Sequence, residues 1–74
     1  MNSEKILDFR GEPCPGPLIR TIRTISSMKK GEVLVVLTDI EECMKSIRDS
    51  VELLEPANIE VSRESGYWKI IIKL

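Results

Sequence analysis

The amino-acid sequence predicts an α+β fold: a two-layer sandwich in the order β-α-β-α-β-β, with a four-stranded mixed sheet (order 1-2-4-3) and two helices on one face. Three observations carry this prediction. Two segments repeat apolar residues with the 3.6-residue period of amphipathic helices. Four shorter segments are apolar or alternating, at the length of strands. Each helical segment also lies between two strand segments, and right-handed crossovers then put both helices on the same side of the sheet. A chain near 60 residues buries only about 60% of its unfolded surface, so the core is expected to be thin but adequate. The 74 residues are read as a single domain, 1–74.

Ile6-Leu7-Asp8-Phe9 is a short apolar run that reads as the first strand, ended by Gly11 and Pro13. From Pro15 onward Leu18, Ile22 and Ile25 recur with helical spacing, with Ile19 beside them. Lys29-Lys30-Gly31 is expected to close this helix, with cations in its last turn and glycine just past it. Val33-Leu34-Val35-Val36-Leu37 is a continuous apolar run, as in a buried central strand. The second helix is expected to start at Asp39, an N-cap acceptor, with Glu42 three residues on as a capping-box variant. Its apolar stripe is Ile40, Cys43, Met44, Ile47, Val51 and Leu54, and Pro56 follows its end. Ile59 to Ser62 alternates as a half-buried strand, and Ser65-Gly66 is a two-residue hairpin turn. Trp68, Ile70, Ile72 and Leu74 then alternate with Tyr67, Lys69 and Lys73, while Ile71 breaks the polar side.

The second and fourth strands are the most apolar and are therefore placed at the centre. Trp68 is expected beneath the helices. Leu34, Val36 and Ile71 are expected on the uncovered face, as a small apolar patch suited to a weak dimer or a partner contact; ordinary surface exposure explains such a patch nearly as well. With strands one to three parallel, the Cys14 loop, the Thr38-Asp39 loop and the Ser65-Gly66 turn share one sheet edge, where open α/β sheets tend to place their sites.

Composition narrows the function. The chain is 42% hydrophobic and 31% charged, with a formal net charge of −1, which argues against a polyanion-binding role. Charge is uneven: residues 1–30 hold six basic and three acidic side chains, residues 31–74 five basic and nine acidic. Met1-Asn2-Ser3-Glu4-Lys5 lacks the features of a signal peptide, and no apolar run approaches a membrane span. Two cysteines do not make the framework of a secreted mini-protein, so the cytoplasm is the expected location. No metal is expected, since two sulfurs and no histidine leave zinc short of ligands.

The most informative stretch is Arg10-Gly11-Glu12-Pro13-Cys14-Pro15-Gly16-Pro17. It sets a cysteine between prolines, after a strand and before a helix. The thiol is expected to lie exposed at a rigid loop tip in the positive field of the helix start. With Cys14 as N-cap, Pro15, Gly16 and Pro17 fill the first three helical positions, where proline is tolerated because those N–H groups lack intrahelical partners. Gly16 and Leu18 keep their donors, and Gly16 leaves room for an approaching partner.

A helix-terminus interaction of about 0.3–1 kcal/mol, up to roughly 2, brings a thiol from its ordinary range toward ambient pH. A thiol poised there is an effective attacker in sulfur exchange. Arg10 adds to this if it folds back over the loop. The same field is not enough for amide hydrolysis, which also wants a base and an oxyanion hole. The alternative, that Cys14 is only a small residue in a proline-rich loop, is outweighed by its strand-loop-helix context.

Cys43 lies on the apolar stripe of the second helix, and core packing is its preferred role. The sharper alternative is a resolving cysteine that forms a disulfide with Cys14. Arg20 and Arg23, with Arg10, offer a docking surface for an acidic partner or are simply solvated. Glu41 and Glu42 suit a first helical turn and imply no paired-carboxylate chemistry.

Leu7-Asp8-x-Arg10-Gly11-x-x-Cys14-Pro15-x-Pro17 followed by an amphipathic helix resembles the signature of the TusA family, the SirA-like sulfur carriers. The element order is similar to that family's fold, which is like the C-terminal domain of translation initiation factor three. The resemblance implies that Cys14 accepts sulfane sulfur as a persulfide and hands it on, with Arg10, Gly11, Pro15, Gly16 and Pro17 in support. It implies no cofactor beyond that covalent sulfur. It implies protein partners: a cysteine desulfurase or rhodanese-like donor and a DsrE-like acceptor, serving tRNA thiolation, cofactor assembly or sulfur oxidation. Asp39-Ile40-Glu41 stands where family members often carry a proline-containing start to the second helix, and Glu55-Pro56-Ala57 where they often carry glycine.

The expected function is thus a sulfur carrier or sulfurtransferase component, monomeric or weakly dimeric, rather than a stand-alone turnover enzyme. Two alternatives stand beside it. One is a nucleic-acid or regulatory binding module on the same fold, disfavoured by the acidic balance and the lack of aromatics among basic residues. The other is a thiol redox protein using Cys14 and Cys43.

Overall fold

The computed structural model describes residues 4–74. Residues 1–3, on which the reading of the N-terminus partly rests, lie outside the described residues. The elements are β1 (Glu4–Asp8), α1 (Gly16–Ser27), β2 (Val33–Thr38), α2 (Glu41–Glu52), β3 (Asn58–Arg63) and β4 (Trp68–Lys73). The sheet order is β1-β2-β4-β3, as the sequence predicts. β1 pairs parallel with β2, and β4 runs antiparallel to both β2 and β3.

The core lies between the sheet and the two helices. From the sheet come Leu34 and Val36 of β2 and Ile70 and Ile72 of β4, all fully buried. From α2 come Cys43, Met44, Ile47 and Val51, and Phe9 closes the end where β1 leaves the sheet. Leu18, Ile22 and Ile25 of α1 and Trp68 of β4 are partly buried against this cluster. Thr21, in the middle of α1, is buried and donates its hydroxyl to the Pro17 carbonyl at 2.8 Å, so its polarity is satisfied within the helix.

The expected uncovered face is corrected at two positions. Leu34 and Val36 lie under the helices, and Val35 and Leu37 take the open side with Ile6, Tyr67, Lys69 and Ile71. The register is the cause. Leu34 pairs with Ile72 and Val36 with Ile70, and directly paired residues point to the same face. A run of five apolar residues carries no phase of its own. Ile71 is on the open face, as expected.

Several boundaries also move. β1 covers Glu4–Asp8, while Phe9 sits just beyond it with its N–H on the Leu37 carbonyl at 2.8 Å. α1 ends at Ser27, so Lys29 and Lys30 lie past its last turn. There Gly31 adopts φ 96° and Glu32 accepts the Lys29 N–H. α2 starts at Glu41 with Ile40 as N-cap and no side-chain cap, because the Asp39 carboxylate is engaged elsewhere. Leu54 lies outside α2 and is 49% exposed, because the helix ends at Glu52 and the chain turns away before the stripe is complete. The hairpin is as predicted: the Glu64 N–H donates to the Tyr67 carbonyl at 2.7 Å around Ser65-Gly66, with Gly66 at φ 86°.

Burial sets the expected cost of truncation. Ile47→Ala should lower unfolding free energy by about 2–5 kcal/mol, since Ile47 is fully buried. Leu53→Ala, at a residue 83% exposed, should change it by no more than about 0.5 kcal/mol. Urea denaturation of both variants checks the contrast.

Candidate functional site

The site is built where β1 leaves the sheet. The Phe9 carbonyl accepts the Glu12 N–H at 3.0 Å, closing a turn whose third residue, Gly11, has φ 85°. That left-handed backbone requires glycine. The Gly11 N–H in turn donates to Asp39 Oδ1 at 3.0 Å. Asp39 therefore does not cap its own helix but anchors the cysteine loop to the β2–α2 connection. Sequence reasoning missed this bond; the placing of both loops at one sheet edge was the signal that could have found it.

After the turn the chain passes Pro13 and Cys14, and the Cys14–Pro15 peptide is cis. Pro15, not Cys14, is the N-cap of α1, and its carbonyl accepts the first intrahelical bond, from the Ile19 N–H at 3.0 Å. Gly16, Pro17 and Leu18 form the first turn, so two of the three carry N–H groups. Pro17 is buried. A Cβ built on Gly16 would meet nothing, so the space beside it is open to an approaching molecule.

Cys14 is bonded to Cys43, and their Cα atoms are 5.5 Å apart. This corrects the expected free thiol at an exposed loop tip: Cys14 is half-buried, and its sulfur turns inward. The physical reason is the fold of the loop, which the Gly11–Asp39 bond holds against the start of α2. Cys43 is the third residue of α2, 1% exposed on the helix's buried side. It is both core residue and sulfur partner, so the two roles weighed for it coincide. The pair sits at the N-terminal ends of two helices at once, where partial positive charge gathers. It is an asymmetric pair, one residue half-buried and the other enclosed.

Arg10 does not fold over Cys14. Its Nε and Nη2 bond both carboxylate oxygens of Asp8 at 2.9 and 2.7 Å, and its guanidinium lies 4.9 Å from the centre of the Tyr67 ring. A bidentate carboxylate two residues away outcompetes a neutral sulfur for the cation. The Arg10 hydrogen bond holds the Asp8 carboxyl below the usual carboxylate range, and Asp8 raises Arg10 in return. Arg20 bridges to Glu12 at 3.4 Å and lies over the Phe9 ring, fixing the outer side of the cysteine loop. Arg23 is exposed on α1. Among the described residues no group of three or more His, Cys, Asp or Glu side chains is placed to hold a metal ion, and no helix is long and apolar enough to cross a membrane.

Comparison with known proteins matches residues 5–74 to the family described as sulfurtransferase TusA. A protein of Archaeoglobus fulgidus, named a candidate sulfur carrier, is 38% identical over 68 residues, covering 92% of this chain and 93% of its own. A protein of the same description from Thermotoga maritima is 38% identical over 71 residues, covering 95% and 90%. The crystal structure of a SirA-like protein from Desulfitobacterium hafniense superposes with a TM-score of 0.79 over 92% of this chain and 93% of that one, at 23% identity, and so shares the fold.

Removing the loop anchor should loosen the site without unfolding the protein. Asp39→Ala should cost about 0.5–1.5 kcal/mol and speed amide exchange at Gly11, read by hydrogen exchange and urea denaturation. The Asp8 pairing has a defined acid signature. Its folded value is depressed, so its contribution is complete above the unfolded value of about 3.9 and is lost as pH falls through the lower folded value. Asp8→Asn should therefore show a shallower loss of stability below about pH 4 than the wild type, measured by denaturation at a series of pH values.

Proposed function

The chain belongs to the TusA family, and from that premise we propose that it is a sulfur carrier that holds sulfane sulfur as a persulfide on Cys14. One observation carries the reading. Cys14 is the less buried residue of the pair, set immediately before an α1 N-terminus with no side-chain cap, with open space beside Gly16. In the reduced protein the positive helix end favours the Cys14 thiolate. Rotation about its short side chain turns the sulfur toward a partner.

Loading follows thiolate–disulfide exchange. The Cys14 thiolate attacks the outer sulfur of a donor persulfide, the sulfur–sulfur bond of the donor breaks, and the donor leaves as a thiolate. Delivery repeats the step, with an acceptor thiolate attacking the outer sulfur and Cys14 leaving. Each step conserves the number of thiols and sulfane sulfurs, so no oxidant or cofactor enters the transfer. A cysteine desulfurase or rhodanese-like protein suits the donor role and a DsrE-like protein the acceptor, in a cytoplasmic relay. The basic balance of residues 1–30, with Arg23 exposed on α1, suits acidic docking partners. Gly11 and Pro17 act through geometry: the first makes the turn, and the second is buried at the foot of the helix. Pro15 starts that helix and Gly16 keeps its approach clear. Arg10 serves by bracing Asp8 and Tyr67 rather than by touching sulfur.

The Cys14–Cys43 bond also gives weight to thiol redox chemistry, which the carrier reading accommodates as the oxidised form of the same site. Incubating the reduced protein with a desulfurase and free cysteine should add the mass of one sulfur, mapped to Cys14. Cys14→Ser should take up none. No mass gain on the wild type with any sulfane donor would defeat the reading.

A further inference from the structure

We propose that Cys43 discharges the Cys14 persulfide as sulfide, giving the protein a second activity: single-turnover reduction of sulfane sulfur. The inference rests on the persulfide reading of Cys14. It is carried by the placement of the two sulfurs, which the transfer mechanism does not use.

Cys43 is 1% exposed and held in the first turn of α2, so no partner protein reaches it and it takes no part in loading. Its sulfur is bonded to Cys14 Sγ, across a Cα separation of 5.5 Å. That separation lies inside the range of about 4.4–6.8 Å over which two cysteines bridge without backbone movement. The Gly11–Asp39 bond keeps the two loops together. A persulfide on Cys14 carries two sulfurs, and their surroundings differ. The outer sulfur arrives from a partner and so projects toward solvent. The inner sulfur stays against Cys43. Attack from the protein side on the inner sulfur then lies opposite the bond to the outer one, the direction in which sulfur displacement runs.

The step balances. Cys43 loses its proton to solvent, and its thiolate attacks Cys14 Sγ. The Cys14–Cys43 bond forms, the bond to the outer sulfur breaks, and its electron pair leaves on hydrosulfide. The sulfane sulfur is reduced to sulfide while two cysteine sulfurs are oxidised to the disulfide. Hydrosulfide is a weaker base than an alkyl thiolate and so leaves readily. A protein dithiol reductant then restores the starting state by ordinary exchange. An acceptor and Cys43 thus compete for one persulfide, the first removing its outer sulfur intact and the second converting it to sulfide.

Reduced wild type, Cys43→Ser and Cys43→Ala are each mixed anaerobically with one equivalent of glutathione persulfide and followed by intact mass and a sulfide assay. The wild type should end two hydrogens lighter than the dithiol form and release about one sulfide per chain. Both variants should keep one added sulfur at least about tenfold longer, because the intramolecular attacker is gone. If Cys43→Ser fails to fold, as judged by circular dichroism, Cys43→Ala decides, since it buries no hydroxyl. A wild type that holds its added sulfur as long as the folded variant overturns the inference, as does one that forms the disulfide without matching sulfide. In both cases the variant still loads, so the carrier reading stands. If none of the three gains sulfur, the persulfide reading itself fails and this inference falls with it.

Discussion

The parallel pairing of β1 with β2, from Glu4 opposite Val33 to Asp8 opposite Leu37, is the constraint on which the rest of the molecule depends. Parallel neighbours cannot be joined by a tight turn, so the chain must leave one end of the sheet and return to the other through α1. That crossover lays α1 over the face where Leu34, Val36, Ile70 and Ile72 gather. The second crossover, through α2, covers the rest of it. Both helices therefore begin at the same sheet edge, and the residues before each are brought together there.

That convergence explains why a chain with no histidine, no metal cluster among its described residues and few aromatics can still concentrate chemistry at one place. Two helix N-termini meet there, with one sulfur in the first turn of α2 and another just before α1. Donor groups, positive helix ends and a half-buried cysteine suit a reaction whose charge sits on sulfur throughout. The division between Cys14, half-buried, and Cys43, enclosed beneath it, follows from the packing of α2. A residue on the buried stripe of that helix has nowhere else to point.

Much of this was legible in the sequence because the signals were periodic or positional. Element order, sheet order and the location of the cysteine loop followed from apolar spacing and from prolines at a strand-to-helix junction. The failures have common physical causes. The continuous run Val33–Leu37 states its burial but not its phase, which cross-strand pairing with Ile70 and Ile72 decides. Asp39 looks like a helix cap in one dimension, yet an acceptor at a shared edge goes to the nearest unpaired donor, here the Gly11 N–H. Arg10 would strengthen the field at the sulfur only if it folded back over the loop, and the Asp8 carboxylate two residues away is the stronger attraction. Cys43 carried a core signal and a reactive signal together, and periodicity alone cannot choose between them.

The hydrogen bond from Gly11 to Asp39 has a consequence for engineering. The octapeptide Arg10–Pro17 is not a self-contained cassette, since part of its shape is supplied by a carboxylate 28 positions along the chain. Grafting it onto a foreign scaffold would transplant the cysteine without its geometry. A faithful transfer would need the neighbouring crossover, with its acidic side chain, moved alongside.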